Sequence, residues 1–258
     1  MQTLYMLPDS QWKEIRTIIE PKERKRKVSL QVIASGIIYL LSNGCKWDSL
    51  PPCYGPYKLV WYYYNKWMAY GTLELLLYKL DGKLRTTKQH REAEPSLIIV
   101  DSQSVKTTAG TGEQTGYDGG KKVKGRKRHI ATDTQGNVVA AGITAANVSE
   151  GSCGHDKPGA LSIKEQVEDF SSVKKIVADG AYQGIPPFDA HGHIEWEIVE
   201  KKAANCFKVL PKRWIVERTL AWLNNFRRLS KDYEKSILMS KAMIPMSSIV
   251  ICLCKLST

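Results

Sequence analysis

The sequence predicts an α/β protein in which a mixed-sheet domain, residues 91–258, follows a small all-α domain, residues 1–90. Two observations favour this class. Apolar residues recur at helical spacing in the first region, whereas short apolar runs bounded by turn residues begin after Ser96 and alternate with helical patterns. The chain has 258 residues, which is long enough to bury a core in each domain.

Four helices are predicted in the first region. Ser29 is a capping residue for the second helix, and Gly44 ends it. The turn GCKWDSLPP before the third helix leaves two interpretations open: a helix-turn-helix that binds DNA, or a plain helical bundle. The predicted helices cover, in order, residues 9–20, 30–44, 57–70 and 73–84.

The second region predicts a sheet with helices around it. The runs LIIV, RHIATD and NVVAAGI indicate an antiparallel three-stranded meander with a turn at residues 134–137. A helix at about residues 160–170, a strand VKKIVAD, a helix after Gly180, a strand IEWEIV and a long final helix from Arg213 follow. The apolar tail, residues 243–254, is interrupted by Pro245 and is shorter than the roughly 20 residues of a membrane-spanning helix, so we expect a core element.

The charge balance predicts a polyanionic partner. The chain has 38 Lys and Arg against 26 Asp and Glu, a formal charge of +12, which favours nucleic acid over an anionic membrane surface. The N-terminus has no pattern of a secretory signal, so we expect the protein in the cytoplasm, associated with the nucleoid. Six scattered cysteines have neither zinc-ligand spacing nor the pattern of a disulfide scaffold.

Three acidic residues stand out by their positions. Asp101 and Asp179 each end an apolar run, and two parallel strands joined by a right-handed crossover would bring them to the same edge of the sheet. Asp133 ends an antiparallel strand and is expected at the opposite edge. Glu217 must come from the final helix, where Arg213, four residues earlier, shares its face.

Carboxylates that converge repel one another unless a cation or a proton lies between them. Oxygen ligands suit Mg²⁺ or Mn²⁺, and two such ions about 4 Å apart support an in-line phosphoryl displacement. The alternative is that each acid is only a surface carboxylate or a helix cap, because periodicity alone does not demonstrate convergence.

Four strings in the sequence resemble the IS5-type branch of the bacterial insertion-sequence transposases: IIVDSQSVKTT, GYDGGKKVKGRKRHIATDTQG, ADGAYQG and LPKRWIVERTLAWLNNFRRLSKDYE. The resemblance implies a ribonuclease H-like catalytic domain in which Asp101, Asp179 and Glu217 hold Mg²⁺ or Mn²⁺, with Arg213 as the arginine of a Tyr-Arg-Glu-Lys signature. It also implies a DNA transposase that binds terminal inverted repeats, cuts there and joins 3′-hydroxyl ends to target DNA, as a dimer or larger assembly. The alternatives are an inactive DNA-binding derivative and a nuclease of the same fold that does not join.

The chain departs from the signature at two positions. Leu210 stands at the tyrosine position and Asn224 at the lysine position, so the phosphate contacts that the family assigns to this pair do not carry over. Arg227, Arg228 and Lys231 are the substitutes that the sequence offers. Only 38 positions separate Asp179 from Glu217, which is too few for a large insertion domain.

A basic run beside the meander is predicted to contact DNA together with the N-terminal helices, because closely spaced cations neutralise phosphates. The alternative is a solvated charged surface. For Trp214 and Trp222 core packing is favoured over stacking on a DNA base, and for His155, His191 and His193 polar loops are favoured over a metal site. The basic run consists of Lys121, Lys122, Lys124, Arg126, Lys127 and Arg128.

Overall fold

The computed structural model describes residues 5–20, 26–108, 112–148, 158–182, 194–199 and 212–257. The chain forms two compact units, which we call the helical unit and the sheet unit. The helical unit comprises Met1–Arg91, Leu223–Ser230 and Ala242–Thr258, and the sheet unit comprises Glu92–Trp222 and Lys231–Lys241. This division differs from the predicted one, which assigned every residue after 90 to the catalytic domain.

The helical unit contains the four helices that the periodicity predicts. The Ser29 hydroxyl accepts a hydrogen bond from the Val32 amide at 3.2 Å and so caps the second helix, and Gly44 ends this helix in the left-handed conformation (φ 68°). Their buried apolar side chains form the core of this unit. The helices are α1 (Asp9–Ile19), α2 (Leu30–Asn43), α3 (Tyr57–Ala69) and α4 (Thr72–Thr87).

The connection between α2 and α3 is longer than the turn of a helix-turn-helix. Residues 44–56 link these helices through two short 3₁₀ turns, Trp47–Ser49 and Pro52–Tyr54, whereas a helix-turn-helix has a turn of roughly three to four residues. Helices α3 and α4 are joined tightly at Tyr70 and Gly71, and Gly71 has a positive φ of 64°.

The sheet unit contains a mixed sheet in the order β2-β3-β1-β5-β6, with β4 also paired to β3. The pairs β1/β3, β3/β4 and β2/β3 are antiparallel, whereas β1/β5 and β5/β6 are parallel. The predicted meander and the predicted parallel pair are both confirmed. The strands are β1 (Leu97–Lys106), β2 (Gly116–Asp118), β3 (Val123–Thr132), β4 (Val138–Ala145), β5 (Lys175–Asp179) and β6 (Glu195–Val199).

The two faces of this sheet differ in chemistry. Ile98 and Val100 of β1 pack with Ile163 and Val167 of α5 (Pro158–Glu168) in an apolar core. Since successive side chains of a strand point to opposite faces, Asp101 lies on the other face. After Gly180 the structure describes only a 3₁₀ turn, Gly180–Tyr182, where the sequence predicts a helix.

The prediction of one long helix from Arg213 is wrong. Helix α6 (Arg213–Asn224) ends, a 3₁₀ turn at Arg227–Leu229 follows, and α7 (Ile237–Ser257) begins separately. Between them the Asp232 amide donates to the Lys106 carbonyl at 2.8 Å, and the Asp232 carboxylate is 3.1 Å from the Arg126 guanidinium. These interactions with β1 and β3 hold residue 232 outside any helix.

Helix α7 is longer than the apolar tail suggests. It has 21 residues and runs through Pro245, although proline removes one helix hydrogen bond. The Ser247 and Ser248 hydroxyls donate to the Met243 and Ile244 carbonyls at 2.8 and 3.0 Å. By length and composition alone this helix is able to cross a membrane, but two thirds of its apolar window is buried, as in the core helix of a globular protein.

Candidate active site

The pairing of β1 with β5 brings Asp101 and Asp179 to the same place. Leu97 pairs with Lys175 and Ile99 with Val177, and the same offset along the chain relates Asp101 to Asp179. The two aspartates therefore occupy equivalent positions on neighbouring parallel strands and share a face of the sheet. Asp179 ends β5 as predicted, whereas β1 continues beyond Asp101 to Lys106.

Helix α6 supplies the other two predicted site residues. It is attached to the turn between β3 and β4, because the Thr219 hydroxyl donates to the Gly136 carbonyl at 2.9 Å and the Arg218 guanidinium donates to the Gln135 carbonyl at 3.0 Å. Gly136 has a positive φ of 81°, and a β-carbon at this position would come within 2.7 Å of the Thr219 hydroxyl. The turn thus requires glycine for α6 to approach so closely.

The structure brings Asp101, Asp179, Glu217 and Arg213 together. One terminal nitrogen of the Arg213 guanidinium lies 3.1 Å from the Asp179 carboxylate and 3.7 Å from the Asp101 carboxylate. Its Nε lies 3.6 Å from the Glu217 carboxylate, one helical turn further along α6. The guanidinium is therefore a shared counter-ion for three carboxylates.

The environment of Asp101 disfavours its ionised form. Burial raises the pKa of Asp101 to about 6, and the nearby charges of Asp179 and Glu217 add to the increase. The Arg213 guanidinium and the Ser102 amide, which donates to the Asp101 carboxylate at 2.8 Å, lower this pKa but do not cancel the rise. Glu217 differs from Asp101, because 57% of its side chain is exposed against 11% for Asp101.

The donor set fits a divalent cation in its chemistry and its charge. Three carboxylates provide oxygen ligands of the kind that Mg²⁺ and Mn²⁺ prefer, and the single arginine leaves an excess of negative charge. Within the described ranges no three His, Cys, Asp or Glu side chains are grouped closely enough to hold one ion as they stand. The Arg213 guanidinium contacts all three carboxylates in this state.

Asp133 has a structural role at the other end of the sheet. Its carboxylate accepts hydrogen bonds from the amides of Gln135 and Asn137 at 2.8 and 2.9 Å, and from the Asn137 side chain at 3.0 Å. It is fully buried and fixes the β3–β4 turn. Its exclusion from the acidic cluster, expected from the antiparallel pairing, is confirmed.

The basic run divides into exposed and buried residues, which contradicts part of the predicted DNA contact. Lys121, Lys122 and Lys124 are exposed, at the turn that leads into β3 and at its start. Arg126, Lys127 and Arg128 lie within β3 and are buried, with 0%, 6% and 2% of their surface exposed. Side chains buried in this way cannot contact phosphates.

Each buried cation of β3 has a partner within the sheet unit. Arg126 pairs with Asp232 and donates to the carbonyls of Glu113, Glu234 and Lys235. The Lys127 ammonium donates to the Val148 carbonyl at 3.0 Å. Burial lowers the pKa of Arg128 to about 10, an effect that the charge of Asp232 opposes.

The cations that follow α6 also differ in exposure. Arg227 and Lys231 are exposed. Arg228 is buried and donates to the Cys45 carbonyl at 2.8 Å within the helical unit, so its predicted phosphate contact is contradicted. Asn224, at the lysine position of the signature, is exposed at the end of α6. The residue at the tyrosine position, Leu210, and the three histidines of the sequence prediction, His155, His191 and His193, lie outside the described residues.

Helix α6 carries an aromatic–cation stack that the sequence patterns did not predict. The Arg218 guanidinium lies 4.7 Å from the ring centre of Trp214 and 4.5 Å from that of Trp222. Trp214 is 46% exposed, so the favoured interpretation of core packing is wrong for this residue. The spacing of the three residues, four positions apart in each case, is a signal that would have revealed the stack.

Comparisons with known proteins agree with this architecture. Residues 92–246 match a family described as "Transposase DDE domain", and residues 7–77 match one described as "Putative transposase of IS4/5 family". A protein from Burkholderia cepacia, "Putative transposase for insertion sequence element IS402", is 28% identical over 144 residues, or 50% of this chain. The match spans 63% of that relative's length, and no solved structure matches the chain.

The first of these matches covers more than half of the chain and includes both strands and the helix that carry the acidic cluster. The mixed sheet flanked by helices is consistent with the ribonuclease H-like fold of this domain. The sequence similarity and the fold lead to one conclusion: the chain belongs to the DDE transposases of the IS4/5 family.

Proposed function

We propose that the chain is an active DNA transposase that binds the ends of its own element, cuts the DNA there and joins the freed 3′-hydroxyl ends to target DNA. The observation that supports this proposal is the convergence of Asp101, Asp179 and Glu217 on Arg213. A buried carboxylate with two others nearby is costly for the fold, and it is explained if the group binds a cation during catalysis.

Asp101 and Asp179 are the residues we propose as shared holders of Mg²⁺ or Mn²⁺, and Glu217 completes the ligand set. When bound, a divalent ion activates a water or a 3′-hydroxyl and stabilises the leaving oxygen. The exposure of Glu217 lets its side chain adjust to the substrate, whereas Asp101 is fixed by its strand and by the Ser102 amide. Arg213 offsets part of the negative charge that would otherwise repel a phosphate.

The exposed basic residues of the sheet unit form the first proposed DNA-contacting surface. Lys121, Lys122 and Lys124 are exposed, and ammonium groups of this kind bind phosphates without reading the sequence. Arg227 and Lys231 remain proposed phosphate contacts as well, whereas the buried cations of β3 and Arg228 are no longer candidates.

Helix α3 offers the second proposed surface, in the helical unit. Its exposed side includes Tyr57, Trp61 and Tyr62, of which Trp61 and Tyr62 are 44% and 53% exposed, together with Lys58 and Lys66. The helix contains no acidic residue. Lysines and tyrosine hydroxyls contact phosphates, and aromatic rings contact bases and sugars, so this chemistry suits DNA.

The element ends are the specific DNA partner in this proposal, and target DNA is the second. Joining two ends requires two active sites, so we propose a dimer or a larger assembly on DNA. Such a protein works in the cytoplasm, at the nucleoid.

The proposal is tested by separating DNA binding from cutting. Asp101→Asn is expected to bind a duplex of the element end as the unaltered protein does and to lose Mg²⁺-dependent nicking by at least about a hundredfold, because a ligand charge is removed. Glu168→Gln, on α5 at the other face of the sheet, is the matched control and should nick normally. Nicking that survives in Asp101→Asn would contradict the proposed site.

Two further outcomes distinguish the alternatives. A protein that binds ends but never nicks with Mg²⁺ or Mn²⁺ is an inactive DNA-binding derivative. Pre-cut ends supplied with a target plasmid test joining, and cutting without joined products identifies a nuclease.

The α3 surface is tested by end binding in the full chain. Trp61→Ala combined with Tyr62→Ala should weaken binding by at least about thirtyfold, since aromatic contacts to bases contribute about 1–3 kcal/mol each and two contacts are lost. Tyr78→Ala removes a similarly exposed aromatic from α4 and serves as the control. If the α3 double variant binds the element end as tightly as Tyr78→Ala does, α3 is excluded as a DNA-contacting surface.

A further inference from the structure

Arg213 has an unusual set of contacts for an arginine in an acidic cluster. Its three carboxylate distances, 3.1, 3.6 and 3.7 Å, are long for charge-assisted hydrogen bonds, which are usually about 2.7–2.9 Å. Its Nε is buried and has no hydrogen-bond partner among the residues that the structure describes. The guanidinium is thus shared among three charges and lies closest to Asp179.

The charge balance of the cluster is incomplete. Three ionised carboxylates and one guanidinium leave two negative charges, in a place where Asp101 is largely buried. A divalent cation would bring this balance to zero, but the position that attracts it already holds the positive charge of Arg213. Like charges at close range repel, so the arginine and the cation oppose each other at the same carboxylates.

We infer that Arg213 is a built-in counter-ion that competes with the divalent cation for Asp101 and Asp179 and that turns to a DNA phosphate when the cation binds. The inference rests on the proposed function, because it assumes that these aspartates hold a cation. DNA offers the displaced guanidinium a new anionic partner, and arginine pairs well with phosphate oxygens. Cation binding and DNA binding then strengthen each other, and by linkage the effect is equal in both directions.

The consequence is a safeguard against cutting in the absence of substrate. Without DNA, Arg213 stays among the carboxylates and lowers their affinity for the cation. With an element end in place, the arginine has a phosphate to bind and leaves the aspartates free for the cation. The complete site therefore forms preferentially on DNA.

The test measures Mn²⁺ binding by titration calorimetry and by electron paramagnetic resonance, without any reaction. In the absence of DNA, Arg213→Gln should bind Mn²⁺ about tenfold more tightly than the unaltered protein, because the competing charge is gone. Arg213→Lys retains a cation and should stay within about threefold of the unaltered protein.

Addition of a duplex of the element end tests the coupling. DNA should increase the Mn²⁺ affinity of the unaltered protein by about tenfold, and the increase should be smaller in Arg213→Gln. Lys164→Gln is the control, since it removes a positive charge from α5 at the other face of the sheet. This variant should leave Mn²⁺ affinity without DNA unchanged, and thermal unfolding verifies that each variant is folded.

The outcomes separate this inference from the proposed function. Equal or weaker Mn²⁺ binding by Arg213→Gln overturns the inference alone, because it shows that the arginine does not compete. If neither protein binds Mn²⁺, with or without DNA, both the inference and the metal-dependent function are wrong. If the unaltered protein binds Mn²⁺ but Asp101→Asn binds it equally well, the cation lies elsewhere, and both fail at the predicted site.

Discussion

Two arginines of the sheet unit are surrounded by acidic and carbonyl oxygens, and they differ in how well their charges are balanced. Arg126 is fully buried, faces one carboxylate, Asp232, and donates to three backbone carbonyls. Arg213 is partly exposed and faces three carboxylates, one at 3.1 Å and two at 3.6 and 3.7 Å. The first arrangement satisfies the arginine, whereas the second leaves excess negative charge.

The difference distinguishes a structural site from the site that we propose to be functional. Asp232 is itself satisfied, because it also accepts hydrogen bonds from the Ser240 hydroxyl at 2.6 Å and the Glu234 amide at 3.1 Å. No further ion is needed there. At Arg213 the carboxylates outnumber the cation, so a ligand of positive charge would stabilise the cluster. Both sites contain an arginine and acids, and the ratio of carboxylates to cations is the difference that matters for a further ion.

The largest expected effect comes from removing the satisfied arginine. Arg126→Met should lower the free energy of unfolding by about 3–5 kcal/mol, since the Asp232 charge would remain buried without its partner. Urea denaturation of the full chain measures this change. Arg213→Met should cost less than about 1 kcal/mol, because two of its three partners, Asp179 and Glu217, are partly exposed. Equal losses in the two variants would remove the distinction between the sites.

A smaller effect of opposite sign is expected at Asp101. Its pKa is about 6 in the folded chain against an ordinary value of 3.8, so the folded state binds more protons between these values and stability falls as the pH rises through them. Asp101→Asn should therefore raise the unfolding free energy by on the order of 1–3 kcal/mol at pH 8 and change it little at pH 4.

Thermal and urea unfolding at both pH values measure the effect. Asp133→Asn is the matched control, and it should be destabilising at pH 8, because the Asp133 carboxylate accepts three hydrogen bonds. A loss of stability in Asp101→Asn at pH 8 would mean that the Asp101 charge is as well satisfied as that of Asp133.

The smallest effect concerns the exposed and buried cations of the basic run. Replacing Lys121, Lys122 and Lys124 together by alanine should reduce the slope of log affinity against log salt by up to about 3, or about 0.9 for each phosphate that is no longer neutralised. Lys127→Ala should leave this slope unchanged, because its ammonium already donates to the Val148 carbonyl. Filter binding at several salt concentrations measures both, and a change with Lys127→Ala would show that β3 reaches DNA.

Local sequence patterns were sufficient for most of the secondary structure and for the positions of the two aspartates at the ends of apolar runs. The apolar spacing, Ser29 and Gly44 predicted helix α2, and the apolar runs before Asp101 and Asp179 predicted two parallel strands. These signals are encoded within a few residues, because helix periodicity, caps and strand length depend on neighbours in the chain. The parallel pairing was enough to expect both aspartates on one edge and Asp133 on the other.

Only the three-dimensional arrangement revealed which cations are buried. Arg126 and Lys124 belong to the same basic run, yet one is buried and the other exposed, because Arg126 meets Asp232, a residue more than a hundred positions away. Likewise, the end of α6 at Asn224 and the placement of the C-terminal part of α7 in the helical unit depend on interactions between distant segments. A charge enters a protein interior only where a partner is present, and the identity of that partner is a property of the fold.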